Sequence, residues 1–219
     1  MIMKVISVNL GQERTLQRKE RVEQTGIFKI PTQETVKVTK LGLEGDVILD
    51  TKSHGGPDQA VYVYGTADYA WWAKELSRDI APGTFGENLT IGELESADFN
   101  IGDYLHVGDV TLQITAPRIP CGTFAARMDD PQWVKKFRYG ERPGLYCRVM
   151  MEGTVTIGEA VSIERYTGET ISIIEMFRGW YESNKSRESL RRHLQAPIAI
   201  RARKALEKEL KERSLESAA

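Results

Sequence analysis

The sequence has few cysteines and histidines and no long apolar run, and each scarcity excludes a class of protein. Its two cysteines, Cys121 and Cys147, are too few for a disulfide framework, so a reducing cytoplasm is the expected compartment. The three histidines and two cysteines lie far apart, without the spacings typical of zinc sites. No apolar run approaches the roughly 20 residues that a membrane-spanning helix needs, and the N-terminus does not resemble a signal peptide. A net charge of −1 gives no bulk attraction to nucleic acid or acidic lipid.

What the chain does contain, over most of its length, is a series of short β-type runs. Alternating or continuous apolar residues are separated by glycine turns such as Gly102–Asp103 and Gly158–Glu159. Many short strands with glycine turns are typical of a barrel or sandwich. The predicted strands are Val5–Val8, Val36–Val38, Ala60–Tyr64, Tyr104–Val107, Val110–Thr115, Tyr146–Met151 and Ala160–Ile163.

Two helices are predicted within this β-rich region. The first runs from about Thr66 to Leu76, with Thr66 as its N-cap. The second has Asp130 as its N-cap and Pro131 at its first position, and it ends near Phe137.

From Thr170 onward the apolar period becomes helical, and three short helices are predicted. Thr170 caps the first, the second covers Ser183–His193, and the third covers Ala196–Arg213 with Pro197 at its first position. The expected organisation is a β-rich domain from 1 to 166, a three-helix C-terminal domain from 168 to 213 and a frayed tail from 214 to 219.

Cys121 is the strongest candidate for chemistry because it lies in a stiff loop close to a cation. The segment Thr115–Gly122 follows the end of a predicted strand, and two prolines keep it extended. Arg118 is three residues away, and a nearby cation lowers the pKa of a thiol and favours the thiolate, a soft ligand for soft metals. The alternative is a buried structural cysteine. Cys147, in the middle of a predicted strand, is interpreted as such a small apolar filler.

A glycine-rich polar loop precedes the predicted strand at Ala60. It places Lys52 and His54 beside Gly55 and Gly56, whose backbone can approach a ligand closely and present amide groups to an anion. An ordinary turn is the alternative. A Walker-type phosphate loop is excluded because no Gly-Lys-Ser/Thr ends the segment.

Two further loops, Leu41–Asp46 and Thr84–Leu89, combine glycine with acidic residues. Asn88 has donors and acceptors that suit the edge of a heterocycle, and Asp46 or Glu87 could hold a lysine or a ring N–H. Either loop could also be a plain turn. We expect the loop at Phe85–Asn88 to converge on one cleft with those around His54 and Cys121.

Taken together and in order, these motifs resemble those of the MOSC domain proteins, a family named after the C-terminal domain of molybdenum cofactor sulfurase, and within it the YiiM-type bacterial proteins. The likeness covers about residues 1 to 166, and the helices that follow look like the three-helix domain of that subgroup. It implies a mainly β fold with α-helices, a MOSC β-barrel followed by three helices. The matching segments are Thr25–Lys29, Leu41–Asp46, His54–Asp58, Phe85–Leu89 and Pro117–Cys121.

The resemblance also implies a function. A pterin-based molybdenum cofactor (molybdopterin) is expected, with Cys121 bound to the metal. Its expected activity is reduction of N-hydroxylated compounds, such as hydroxylaminopurine-type base analogues, to amines, with electrons from a separate reductase. Many relatives have lysine where this chain has Gln59, so one expected cation is missing. The residues expected to contact the cofactor are Lys29, Asp46, Lys52, His54, Gly55, Gly56, Gly86, Glu87, Asn88 and Arg118.

Two other functions stay open at this point. A carrier of the molybdenum cofactor or of sulfur would use the same Cys121 without turnover of its own, and the sequence, which has no redox domain, does not separate it from an enzyme. A DNA-associated regulator would use the basic C-terminal segments Arg191–His193 and Arg201–Lys204. Nucleic acid is nevertheless not an expected partner, because the C-terminal region from Tyr166 as a whole has no strong net charge and no aromatic residues interleaved with its basic ones. A membrane is not expected either, and a homodimer stays open.

Overall fold

The computed structural model describes residues 3–18, 21–51 and 54–216. Its strands are β1 Met3–Gly11, β2 Arg14–Arg18, β3 Arg21–Thr25, β4 Lys29–Thr32, β5 Val36–Thr39, β6 Gly42–Leu43, β7 Val61–Gly65, β8 Leu89–Ile91, β9 Tyr104–Val107, β10 Val110–Ala116, β11 Leu145–Met151, β12 Gly153–Val155 and β13 Ala160–Glu164. Its helices are α1 Thr66–Leu76, α2 Gly122–Arg127, α3 Trp133–Gly140, α4 Ile173–Gly179, α5 Arg187–Gln195 and α6 Ile200–Glu216, with 3-10 turns at Pro57–Gln59 and Ser96–Asp98.

Seven strands close into a barrel in the order β13–β9–β10–β11–β7–β8–β1, and the ring is completed where Met3 in β1 lies opposite Val161 in β13. Seven strands cannot all alternate in direction around a closed ring, so one neighbouring pair must be parallel. That pair is β7–β8, which α1 connects, as parallel neighbours require a crossover. The predicted β-barrel followed by helices is confirmed.

The barrel interior is aliphatic. Its strands contribute Val63, Leu105, Leu112 and Ile114, all fully buried, and each such side chain adds roughly 1.5–3 kcal/mol through burial. Cys147 is also fully buried among them. The structure therefore places it as the apolar filler that the sequence indicates, and burial raises the pKa of its thiol well above the ordinary value.

A second, aromatic cluster fixes the helices that flank the barrel. Trp72 of α1, Phe124 of α2 and Trp133 of α3 are fully buried around Phe85. The rings of Phe85 and Trp133 stack with centroids 6.0 Å apart, and Phe124 meets Trp133 edge to face at 5.5 Å. Since α2 follows Cys121 directly, this packing also fixes the position of that cysteine.

The helix boundaries predicted from sequence are right for α1 and wrong elsewhere. Even in α1 the N-cap is Gly65, and Thr66, predicted as the cap, is the first helical residue. Before α3, the side chain of Asp130 accepts a hydrogen bond from the amide of Gln132 at 2.8 Å. Asp130 and Pro131 therefore form a turn, and the helix starts only at Trp133. The hydroxyl of Thr170 bonds to the carbonyl of Ile101 instead of capping α4.

The other C-terminal helices also begin later than predicted. Ser172 caps α4 and Ser186 caps α5, each accepting an amide hydrogen bond at 3.0 Å. Ala196 is extended rather than helical, because it and Ile198 are buried in the barrel core, so α6 starts at Ile200. That helix continues to residue 216, where a frayed tail was expected from 214, and residues 217–219 lie outside the described part.

The C-terminal helices pack directly on the barrel. Ile171 and Ile173 join its core cluster along with Ala196 and Ile198. The division into separate domains at 166 stays a prediction. In the described part of the chain, no helix has the length and apolarity needed to cross a membrane.

The burial of Cys147 gives a prediction about stability. Cys147→Ser puts a hydroxyl in an aliphatic core, so the free energy of unfolding should fall by about 1–3 kcal/mol. Urea denaturation measures it. The matched control is Cys121→Ser, which changes the same atom at a partly exposed position and should cost less. Equal losses for both variants would contradict the placement of the two thiols.

Candidate functional site

A cleft of about 280 Å³ lies where β10 leads into α2. The loops around His54, Gly86 and Cys121 meet there, as the sequence predicts, although they are far apart along the chain. Of the residues expected to contact a cofactor, those on the cleft wall are Lys29, His54, Gly55, Gly86, Asn88, Arg118 and Cys121.

The Cys121 thiol is the most reactive group of the cleft. Burial raises its pKa, but a hydrogen bond with the His54 ring, the charge of Arg118 and the backbone N–H of Phe124 outweigh burial and lower the pKa to about 6. At neutral pH this side chain is therefore largely thiolate. Its partial exposure separates it from Cys147 and disfavours a purely structural role.

Arg118 is a buried cation without a carboxylate partner among the described residues. Only 4% of it is exposed, and its guanidinium lies against the rings of Phe124 and Tyr62, 4.3 and 5.1 Å from their centroids. Its Nη1 donates to the carbonyl of Phe85 at 3.0 Å, while its Nε has no partner in the described part of the chain. A buried charge held in this way remains available to an anionic ligand on the cleft side.

Asp46 lies beneath the cleft and organises its floor. It forms an ion pair with Lys29, whose side chain is only 7% exposed, so of the two kinds of partner that the sequence left open for this carboxylate, a lysine or a ring N–H, the structure shows a lysine. Burial lowers the pKa of Lys29, and the charge of Asp46 opposes that shift. Asp46 also accepts from the side-chain amide of Asn88 at 2.9 Å, and Asn88 accepts from the amide of Tyr62 at 3.1 Å.

Three of the expected contact residues are not placed on the cleft wall. Asp46 is in the floor just described. Glu87 is fully buried on the other side of the chain, where it accepts hydrogen bonds from the hydroxyl of Tyr69 at 2.5 Å and the amide of Gly83 at 2.7 Å. Gly56 starts the 3-10 turn and faces the side chain of Arg201. Lys52 lies outside the described residues.

The structure adds a wall that sequence reasoning missed, the hairpin of β2 and β3. Arg18, Glu23 and Gln24 line the cleft from this hairpin, and the carboxylate of Glu23 accepts from the hydroxyl of Thr123 at 2.7 Å. Both strands are polar and mostly exposed, so they lack the apolar alternation that identifies a strand. Residues 14–18 pair with residues 21–25 in the structure, and no sequence pattern in these segments reveals that pairing.

Sequence and fold comparisons agree on the family. A profile described as the MOSC domain matches residues 50–162, about half of the chain. The chain is 34% identical to YflK of Bacillus subtilis (strain 168) over 190 residues, 87% of this chain and 86% of that protein. The crystal structure of YiiM from Geobacillus stearothermophilus superposes with a TM-score of 0.77 at 26% identity, covering 95% of this chain and 99% of that one. The chain belongs to the MOSC domain family, and within it is homologous to YflK and YiiM.

A further relative is matched over a smaller share. The chain is 29% identical over 143 residues to a protein of Gibberella moniliformis (strain M3125 / FGSC 7600) named Reductase, a match that covers 64% of this chain and 25% of that protein.

The low pKa of Cys121 predicts a distinctive alkylation profile. The rate of modification by iodoacetamide should rise with pH, and the midpoint of that rise should lie near the pKa of about 6. An ordinary cysteine has a pKa of about 8.5. His54→Ala removes a hydrogen bond that favours the thiolate, so the midpoint should move up by about one pH unit. Peptide mass spectrometry distinguishes Cys121 from the buried Cys147. A midpoint that His54→Ala leaves in place would contradict the contribution of His54.

Proposed function

We propose that this protein is a molybdenum-cofactor-dependent reductase that converts N-hydroxylated compounds to amines, with Cys121 as the thiolate ligand of the metal. The observation that carries the proposal is a thiol whose pKa is lowered to about 6, in the same cleft as the buried Arg118, which has no carboxylate partner among the residues that the structure describes. A thiol that has already lost its proton at neutral pH can bind a soft metal without the cost of deprotonation.

The donor set of the cleft fits a metal that is held mainly by an organic cofactor. Among the described residues, no cluster of three or more His, Cys, Asp and Glu side chains could bind a bare ion. A single thiolate is instead suited to a metal whose other ligands come from a pterin dithiolene. The anionic phosphate of such a cofactor would find a counter-charge in Arg118, which lines the cleft. Lys29 also lines the cleft, but its charge is already paired with Asp46.

Two further features suit the organic part of the cofactor. Gly86 has a φ of +77°, and a Cβ there would lie 3.1 Å from Ile27 and 3.2 Å from the guanidinium of Arg118. Its backbone can therefore border a ligand where a side chain would crowd both neighbours. Asn88 is anchored by Asp46 and Tyr62, so the edge of its amide is held in a fixed orientation for a heterocycle.

The reaction consumes two electrons and two protons, R–NHOH + 2 e⁻ + 2 H⁺ → R–NH₂ + H₂O. When bound, the cofactor supplies the redox chemistry, and we assign the supply of electrons to a separate reductase. His54 is placed to deliver protons. It contacts Cys121, its ring Nδ1 lies 3.4 Å from Asp50, and about a third of its side chain is exposed. A histidine that reaches both solvent and the cleft can transfer a proton near neutral pH.

In this proposal, the substrate enters the cleft along the wall that the hairpin forms. Arg18, Glu23 and Gln24 offer both donors and acceptors there, which suits a polar base analogue. The phenol rings of Tyr62 and Tyr146 also line the cleft, with centroids 4.7 Å apart, and add an apolar surface to it.

A carrier of the cofactor or of sulfur is the second candidate. It is favoured by the same observation, because a thiolate of low pKa is also a competent nucleophile that can hold a persulfide. Turnover separates the two functions, since a carrier would bind the cofactor without reducing an N-hydroxylated compound.

Replacing the ligand gives the decisive test. After equal molybdenum-cofactor loading, confirmed by metal analysis, Cys121→Ser should reduce an N-hydroxylated base analogue at least about 100-fold more slowly, because a hydroxyl is a harder ligand and stays protonated at neutral pH. An artificial electron donor makes the assay independent of the partner reductase. Cys147→Ser is the control and should keep nearly full activity. A fully active Cys121→Ser protein would disprove the assignment, and a loaded wild-type protein without turnover would favour the carrier.

A further inference from the structure

The loop that carries His54 is fastened from outside the cleft by the C-terminal helix α6. We propose that Arg201 of this helix is a positioning residue, which holds Thr51 and residues 54–59 in place and so determines the shape of one wall of the cleft. Its effect on turnover rests on the proposed function, but its effect on the loop does not.

Arg201 bonds to three acceptors of this one loop. Its Nη1 donates to the side-chain oxygen of Gln59 at 2.8 Å. Its Nη2 donates to the carbonyl oxygens of Thr51 at 2.8 Å and His54 at 3.3 Å. A planar guanidinium with several donors in a fixed geometry can join these three points at once, and a lysine ammonium is less suited to do so.

The start of α6 is held by the barrel and by Asp58, which belongs to the same loop. The amide of Ile200 donates to one carboxylate oxygen of Asp58 at 2.7 Å, and Arg148 in β11 lies 3.1 Å from the other. The amide of Ala199 donates to the carbonyl of Thr115 in β10 at 3.0 Å. Arg201 therefore lies on a helix whose start is bonded to β10, and its own bonds fix Thr51, His54 and Gln59 relative to the strand that leads to Cys121.

The described residues of the loop also make short-range bonds of their own: the amide of His54 donates to the carbonyl of Asp50, and that of Gln59 to the carbonyl of Gly56, both at 3.0 Å. Gly55 and Gly56 both have left-handed φ values, +66° and +83°, and two such glycines in succession give a chain high conformational freedom when nothing restrains it. The same loop contributes His54, Gly55 and Gln59 to the cleft wall. Loss of the Arg201 bonds should therefore act on the cleft, although the guanidinium belongs to the C-terminal helices.

The chain offers a matched control two residues further along α6. Arg203 also donates to two backbone carbonyls, those of Leu194 and Ala196, both at 2.8 Å, but neither belongs to the loop. Arg201→Ala and Arg203→Ala thus remove the same group from the same helix, and only the first should affect the cleft wall. Arg201→Lys keeps the charge and should hold the loop partly in place, with an effect on the cleft wall smaller than that of Arg201→Ala.

The first measurement is hydrogen–deuterium exchange of the purified protein, read by mass spectrometry. In Arg201→Ala, amides of Thr51 and residues 54–59 should exchange about tenfold faster than in the wild type, with the rest of the barrel unchanged. Arg203→Ala should leave these amides at the wild-type rate, and Arg201→Lys should give an intermediate rate. Unchanged exchange in Arg201→Ala, or an equal increase throughout the chain, would overturn the proposal.

The second measurement is the rate of Cys121 alkylation by iodoacetamide at pH 8.5, where the thiolate is already formed and the rate reports access to the cleft. Arg201→Ala should react several-fold faster than both the wild type and Arg203→Ala. If Arg201→Ala does not fold, Gln59→Ala removes one acceptor from the loop side, and it should raise exchange and alkylation less strongly. The absence of any increase in that variant would overturn the proposal.

The third measurement concerns turnover by loaded protein. Arg201→Ala should raise KM for the N-hydroxylated substrate more than it lowers kcat, because it changes the shape of the cleft and touches no reacting atom. An unchanged KM in an active variant would overturn the role of Arg201. If no variant, including the wild type, turns over, the proposed function fails, and exchange and alkylation still decide for or against Arg201.

Discussion

The carboxylate of Asp46 is the point on which the cleft is built. It accepts from the amide of Gly11 at the end of β1 at 2.6 Å, pairs with Lys29 at the start of β4 and accepts from Asn88 before β8. Asn88 extends the network to β7 through the amide of Tyr62. A buried carboxylate loses its hydration and must be compensated by such bonds. The network is therefore satisfied when these strands lie in one register, and that register sets the floor of the site.

The two cysteines show how strongly placement decides chemistry. Cys147 is surrounded by aliphatic side chains, and burial alone raises the pKa of its thiol. The sulfur of Cys121 is also largely buried, yet His54, Arg118 and the amide of Phe124 reverse the direction of the shift. Arg118 can contribute in this way because rings and a carbonyl hold its guanidinium. A carboxylate partner would have neutralised the charge that the thiolate and an anionic ligand share.

Gln59, which departs from the pattern of the family that the sequence resembles, has a specific hydrogen-bond partner in the structure. Where the resemblance leads one to expect a lysine, this chain presents an amide oxygen to Arg201, and a second cation at that place would repel the guanidinium. The positive charge beside the loop thus comes from the C-terminal helices. This arrangement connects those helices, which share the barrel core through Ile198, to the wall of the cleft.

The sequence by itself determined the barrel, the family and the cysteine of interest. Alternating apolar residues between glycine turns locate β9 and nearly all of β10, and the order of five motifs identifies the MOSC family. The hairpin β2–β3 was not predictable, because its exposed strands bury too little apolar surface to impose a pattern. The start of α2 was missed as well, since it is one short helix whose position depends on the aromatic packing around Phe124.

Only the tertiary structure decided which members of a motif face the cleft. Glu87 and Asn88 are neighbours in the same motif, but successive side chains of an extended segment point to opposite sides. Asn88 therefore reaches the cleft while Glu87 is enclosed beside Tyr69. Long-range pairing was equally hidden. Arg201 and Gln59 are 142 positions apart in the sequence, and local periodicity carries no information over such a separation. Their bond forms because the closed barrel brings α6 against the loop.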